Sequence, residues 1–197
     1  MEKEVKKLYL DVETTGPYYW VHGIHQLSGE IWVDKERTFF DYHVKPFGED
    51  VVNDKALEVS HKTIEQLRAS PSAREVWSEL YGVLTSYVNP FDSKDKFFVY
   101  AYNAAFDENF LRQWCLKLGF EFFGALFHSP INCVMQKAFI VLGADRTDLE
   151  NVKLVSIAKH FGLEIDEERL HDALYDVEVM RRLDTILDKK LAKGLMQ

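Results

Sequence analysis

Hydrophobic residues fall at strand-like spacing early in the chain and at helical spacing later, so the pattern divides it into recognisable elements. Lys7-Leu8-Tyr9-Leu10-Asp11-Val12-Glu13 is apolar and β-prone and stops where Thr14-Thr15-Gly16-Pro17 breaks it. Two further β-prone runs, Ile24 to Val33 and Thr38 to Val44, flank the polar connection Asp34-Lys35-Glu36-Arg37, which predicts an antiparallel meander of three strands. Beyond a loop at Pro46-Phe47-Gly48, the stretch Pro71 to Val88 carries Val76, Leu80, Val83, Leu84 and Val88 at helical spacing. Lys96 to Ala101 is a strand, and it runs into a helix that Asn103 can cap and whose stripe is Phe106, Phe110, Trp114 and Leu118. Helices are also predicted over Asn132 to Leu142, Leu154 to Phe161 and Asp172 to about Leu187, with Gly143 and Gly162 as C-terminal stops. The order β-β-β-α-β-α-α-α implies an α/β fold, a mixed sheet flanked by helices.

Composition narrows the class. The chain has 197 residues, 47% hydrophobic and 14% aromatic, without repeat or low-complexity linker, which suits a single domain over 1–197 with its core at about 7–188. Cys115 and Cys133 lie in apolar stretches without metal-finger spacing, as expected of free thiols. The charged start Met1 to Lys7 is followed by no long apolar run, so neither a signal peptide nor a membrane span is expected, and the expected location is cytoplasmic. A net charge of −8 disfavours a protein that grips long duplex through many phosphates. It permits an enzyme that holds only a chain end.

Three patches carry candidate chemistry. In Asp11-Val12-Glu13-Thr14-Thr15-Gly16 the carboxylates are two apart on a strand, so both emerge on one face while Leu10 and Val12 face the other. The chain repeats the D-x-E spacing at Asp148 and Asp166; the first copy differs in sitting on an apolar strand, an expensive place for two carboxylates unless something cationic pairs with them. Asp107, in Asn103-Ala104-Ala105-Phe106-Asp107, stands one turn inside its helix, either as a dipole-favouring acid or as a site residue that the preceding strand delivers towards Asp11. In His171-Asp172-Ala173-Leu174-Tyr175-Asp176 the five-residue spacing places His171 on the loop or cap and Asp176 one turn into the helix. Four carboxylates and one histidine are the set that a two-metal phosphodiesterase needs.

Taken in order, D-x-E-T-T-G, N-x-x-F-D and H-x-A-x-x-D resemble the three motifs of the DnaQ-like (DEDDh) 3′-to-5′ exonucleases, a branch of the ribonuclease H-like fold. The resemblance spans roughly residues 7 to 188. It implies a five-stranded mixed sheet, three antiparallel strands followed by parallel ones. It makes Asp11, Glu13, Asp107 and Asp176 the metal ligands and His171 the general base, and lays Thr14, Thr15 and Gly16 against the terminal nucleotide, with Asn103 and Phe106 beside it. Two departures stand out: Tyr102 occupies a position where many relatives have histidine, and Leu57-Glu58-Val59-Ser60-His61-Lys62-Thr63 lacks a Gly-Ile pair. In relatives that stretch borders the substrate, which makes Leu57, Val59 and His61 contact candidates.

All-oxygen ligands select hard cations, so the expected cofactor is two divalent ions, Mg²⁺ or Mn²⁺. The expected reaction is hydrolysis at the 3′ end of single-stranded or frayed DNA, releasing nucleoside 5′-monophosphates. An RNA-trimming enzyme on the same site and a proofreading subunit partnered by a DNA polymerase are the alternatives. Tyr18, Tyr19 and Trp20 follow the first motif and could stack on bases. Trp32 and Trp77 are equally suited to core or to an interface, which leaves the oligomeric state open.

Overall fold

A computed structural model describes residues 5–169 and 172–194. Its centre is a five-stranded sheet in the order β3-β2-β1-β4-β5. β1 (Lys7–Thr14), β2 (Ile24–Val33) and β3 (Glu36–His43) form the antiparallel meander, while β4 (Phe98–Ala101) runs parallel to β1 and β5 (Asn132–Cys133) parallel to β4. This is the ribonuclease H-like arrangement implied by the sequence motifs. β1 and β2 match their predicted bounds closely because both are apolar and internal to the sheet. β3 begins two residues early because Asp34, at φ 54, makes the β2–β3 connection tight.

Alternation along β1 assigns its two faces. Leu8, Leu10 and Val12 join Leu27, Ile31 and Phe40 in a core closed by α3 (Ala73–Thr85) and α4 (Ala104–Lys117). Tyr9 belongs to the opposite layer, with α5 (Val134–Leu142), α6 (Leu154–His160) and α7 (Ala173–Gly194). Two polar links hold α7 in that layer, one to β1 and one to α5. The Tyr9 hydroxyl donates to Asp184 Oδ2 at 2.8 Å, and Lys137 Nζ holds Asp184 Oδ1 at 2.6 Å. On β2 directly opposite Tyr9, the fully buried Glu30 accepts from Arg181 Nε at 2.8 Å, and the Arg37 and Arg181 guanidinium groups lie over the Trp32 ring. Each buried charge here has an opposite partner, which a buried carboxylate requires.

Four expectations need correction. The helix expected from Asn132 starts at Val134, because Asn132 and Cys133 pair with Tyr100 and Ala101 as β5; two residues are too few to show a period. The stretch between the loop at Pro46-Phe47-Gly48 and Pro71, where no element was predicted, contains two helices, α1 (Asp54–Ser60) and α2 (Ile64–Ala69), too short for a hydrophobic stripe and held by caps. Asn53 caps α1, and Thr63 with Gln66 forms a capping box on α2. Asn103 precedes α4 but makes no side-chain cap bond. Finally, α7 continues past Leu187 to Gly194.

Other expectations agree with the structure. Gly143 and Gly162 end α5 and α6 at φ 57 and 78, in the left-handed region where a Cβ would be strained. Both cysteines are free, and Cys115 is buried. Trp77 packs edge-on against Trp114, and Trp32 is half-buried beneath its arginines, so both tryptophans belong to packed layers. No described helix is long and apolar enough to cross a membrane.

Tyr9→Phe should lower stability by about 1.5–3 kcal/mol, because it leaves Asp184 with one hydrogen bond fewer in a buried layer. Urea unfolding measured against the parent chain checks this.

Candidate active site

β4 pairs with β1 only as far as Tyr9↔Tyr100. From Asp11 onward the β4-facing edge of β1 is therefore open, and Asp107 of α4 fills it: the Val12 N–H donates to Asp107 Oδ1 at 3.3 Å. Strand β4 delivers the first turn of α4 to this point through Tyr102 and Asn103. On the other face, α7 starts at Ala173, with Asp172 Oδ1 accepting from the Leu174 and Tyr175 N–H groups and so capping the helix. Asp176 follows within that first turn. Asp11 and Glu13 are half-buried on the α7-facing side of β1, and Asp107 is only 4% exposed.

The four carboxylates act on one another. Burial raises Asp11 well above the carboxylate range, and Asp107, Glu13 and Asp176 push it further. Glu13 is pushed up to about 7, first by burial and then by Asp176. Burial also raises Asp107, against the stabilising N–H of Val12. Among the described residues, no Lys, Arg or His forms an ion pair with Asp11, Glu13 or Asp107. Nor, among the described residues, do three or more His, Cys, Asp or Glu side chains stand together as a group that could hold a metal ion in this arrangement. The cluster is open: hard oxygen donors, mutually repelled, in a partly dehydrated corner. Its chemistry fits divalent cations, which would remove that repulsion. His171 lies outside the described residues.

The first motif's loop, expected to lie against the terminal nucleotide, is held by its own hydrogen bonds and packing. Thr15 is 0% exposed; its N–H donates to Gly23 O at 2.9 Å, and its hydroxyl donates to Val51 O while accepting from the Gly23 N–H. Gly16 is buried under the His22 ring, where a Cβ would come within 2.2 Å of Cδ2. These two residues fix the loop, and their commitments could not be read before the His22–Gly23 segment was known to fold back on them. Thr14 is half-buried, with its hydroxyl on Gly16 O. Tyr19 packs edge-on against Phe110, whereas Tyr18 and Trp20 are exposed and lie against each other.

Asn103 is exposed, and the half-buried Phe106 rests on Phe110. Leu57 and Val59 lie on α1, with Val59 exposed, and His61 ends that helix in the left-handed region at φ 53. Tyr102, in place of a histidine, donates its hydroxyl to Val152 O and ties the end of β4 to the approach to α6. No linear pattern pointed to Gln26 and Ser28. Register sets them directly beside Glu13 and Asp11, and both donate to Asp41 Oδ1.

A sheet of this order, with acidic side chains gathered at the open end of β1, has the ribonuclease H-like fold. The sequence pattern of the exonuclease family (RNase T type) matches residues 8–183, and the chain belongs to that family. Among solved structures, E. coli exonuclease I in complex with a dT13 oligonucleotide is 19% identical with a TM-score of 0.68, over 96% of this chain and 41% of that one. A zinc-bound E. coli exonuclease I–single-stranded DNA complex is 17% identical with a TM-score of 0.68, over 98% and 41%. A 3′-exonuclease that recognises the 3′ end of a histone mRNA stem-loop is 15% identical with a TM-score of 0.69, over 96% and 84%. This chain thus spans about two-fifths of the exonuclease I chains. No curated protein matches its sequence.

Carboxylates whose folded pKa is raised bind protons that the unfolded chain has already released, so their contribution is most favourable below about pH 4 and is lost as pH rises through about 7. In EDTA, the melting temperature should fall between pH 5 and pH 8. Asp11→Asn should recover several degrees at pH 8, where roughly 2–4 °C corresponds to 1 kcal/mol in a domain of this size. Calorimetry across that range checks both; a flat profile contradicts them.

Proposed function

We propose that the chain is a metal-dependent 3′-to-5′ exonuclease that hydrolyses the terminal phosphodiester of single-stranded or frayed DNA and releases nucleoside 5′-monophosphates. The observation that carries this reading is the mutual repulsion of Asp11, Glu13, Asp107 and Asp176 at the open end of β1, within a chain of the exonuclease family. These four would hold two Mg²⁺ or Mn²⁺ ions, which supply Lewis-acid polarisation of the phosphate and acidification of water. Asp107, bound by the Val12 N–H, keeps its carboxylate oriented from the α4 side. The Asp172 cap fixes the turn that carries Asp176. His171, placed by its motif five residues before Asp176, is proposed to accept the proton of the attacking water.

Tyr18 and Trp20 supply exposed rings next to the loop of the first motif, suited to stacking on unpaired bases whatever their sequence. An RNA 3′ end is the second reading, favoured by the similarity to the 3′-exonuclease that recognises a histone mRNA stem-loop. A polymerase-bound proofreading role would be supported by copurification with a polymerase.

The test uses 3′- and 5′-labelled DNA and RNA oligonucleotides with Mg²⁺ or Mn²⁺. Stepwise shortening from the 3′ end is expected; Asp11→Ala should abolish it, and His171→Ala should slow it by about 10²- to 10⁴-fold. Full activity in both variants contradicts the assignment. The DNA-to-RNA rate ratio decides between the two readings.

A further inference from the structure

The bulge beside Glu13 creates a second feature. Glu13 pairs with Gln26 and Thr14 with Ile24, so His25 is the extra residue of β2, and its carbonyl accepts from the Val44 N–H. The His25 side chain is 3% exposed, and both of its ring nitrogens are buried without a hydrogen-bond partner. A buried imidazole left without partners is unfavourable relative to a satisfied one, so it calls for an explanation. His25 lines an open cavity of about 380 Å³ together with His43, Lys62, Gln66 and Ser70, and no Asp or Glu lines it.

All the charge that surrounds this cavity is positive or can become so. Lys62 is half-buried and forms no ion pair among the described residues. Gln66 Oε1 accepts from the Thr63 N–H, which leaves its NH₂ as the end able to donate elsewhere. Burial pushes the His25 pKa down to about 4, helped by Lys62 and then His43, so at pH 7 the ring is neutral and offers one N–H. In a protein of net charge −8, a pocket lined by two histidines and a lysine with no acid is a departure from the surrounding surface.

Its position relates it to the carboxylates. Glu13, Gln26 and His43 form one row across β1, β2 and β3, on one face of the sheet. Two strand spacings separate the ends of that row, roughly 10 Å. A nucleic-acid strand whose last nucleotide lay at Glu13 would carry further phosphates within that range.

We propose that this cavity is a phosphoryl-binding site, distinct from the carboxylate cluster, in which Lys62 supplies the charge and His25 and Gln66 supply hydrogen bonds. Two sources present the same chemistry: a backbone phosphodiester of the strand being shortened, or free phosphate, including that of a released mononucleotide. Assigning the strand as the source rests on the exonuclease reading; the phosphoryl site itself does not.

The experiment follows histidine ring resonances of the full chain in EDTA, where no cleavage is expected, during titration with inorganic phosphate at constant ionic strength. Thymidine 5′-monophosphate and oligothymidylates of increasing length are titrated in the same way. His25→Phe assigns the His25 signal, and Lys62→Gln, a change at a half-buried position, tests the site without emptying a buried one. Phosphate should shift the His25 and His43 signals, and Lys62→Gln should weaken that response roughly five- to tenfold. If oligonucleotides beyond a minimum length move the same signals, and Lys62→Gln lowers the salt dependence of their binding by about 0.7 in log–log slope, the source is the strand. If phosphate and the mononucleotide shift the signals while bound oligonucleotides do not, the source is the free anion. Unmoved signals up to tens of millimolar phosphate and with every oligonucleotide, in a chain that cleaves normally when metal is restored, overturn the proposal. A phosphate response in a chain that cleaves nothing upholds this site and removes the exonuclease reading.

Discussion

Four carboxylates share the open end of β1, and none can ionise there without raising the energy of the others. The structure around that repulsion is well bonded. Asp107 is steadied by a backbone N–H that the short β4 leaves exposed, Asp176 follows a capped turn, and the first-motif loop is closed by Thr15 and packed against Gly16. A site that binds cations strongly is one that is strained without them, and the strain is borne by the scaffold. The open cluster and its hydrogen-bonded frame are therefore two sides of one arrangement.

The same sheet handles its other buried charges in the opposite way. Glu30 has Arg181, and Asp184 has Lys137 and the Tyr9 hydroxyl, so the α7 layer carries paired charges a few residues from Asp11 and Glu13, which form no ion pair among the described residues. Along one face of β1 the environment changes from neutralised at Tyr9 to repulsive at Asp11 and Glu13. The change coincides with the end of pairing to β4. Sheet topology thus decides which acidic residues are structural and which remain available to a ligand.

Much of this was legible in the sequence, and what was not has physical causes. β1, β2 and the long helices were visible because each buries a stripe or an alternating face long enough to leave a period. Asp11, Glu13, Asp107 and Asp176 were picked out by the order of three motifs and the apolar segments that carry them, since the spacing of each recurs or is common, and Asp11 feels the other three. β5 was missed because two residues carry no period, and α1 and α2 because their stability lies in caps such as Thr63 with Gln66. The hydrogen bonds that hold Thr15 were not legible because its partners, Gly23 and Val51, are distant in sequence. Gln26, Ser28 and the orphaned His25 depend on strand register and on a bulge, neither of which a linear pattern records.

The anchoring of α7 has a mechanical consequence. Its side-chain ties to the sheet, Arg181 and Asp184, lie five and eight residues beyond Asp176. At 1.5 Å per residue, the farther tie stands about 12 Å from the fourth carboxylate. A tilt of the helix by about 5° around that tie would carry Asp176 through roughly 1 Å, twice the tolerance of about 0.5 Å that a ligating constellation allows. The helix is a lever with its fulcrum in the buried ion pairs, and the alignment of the acidic cluster is set as much by that distant bearing as by the residues in it.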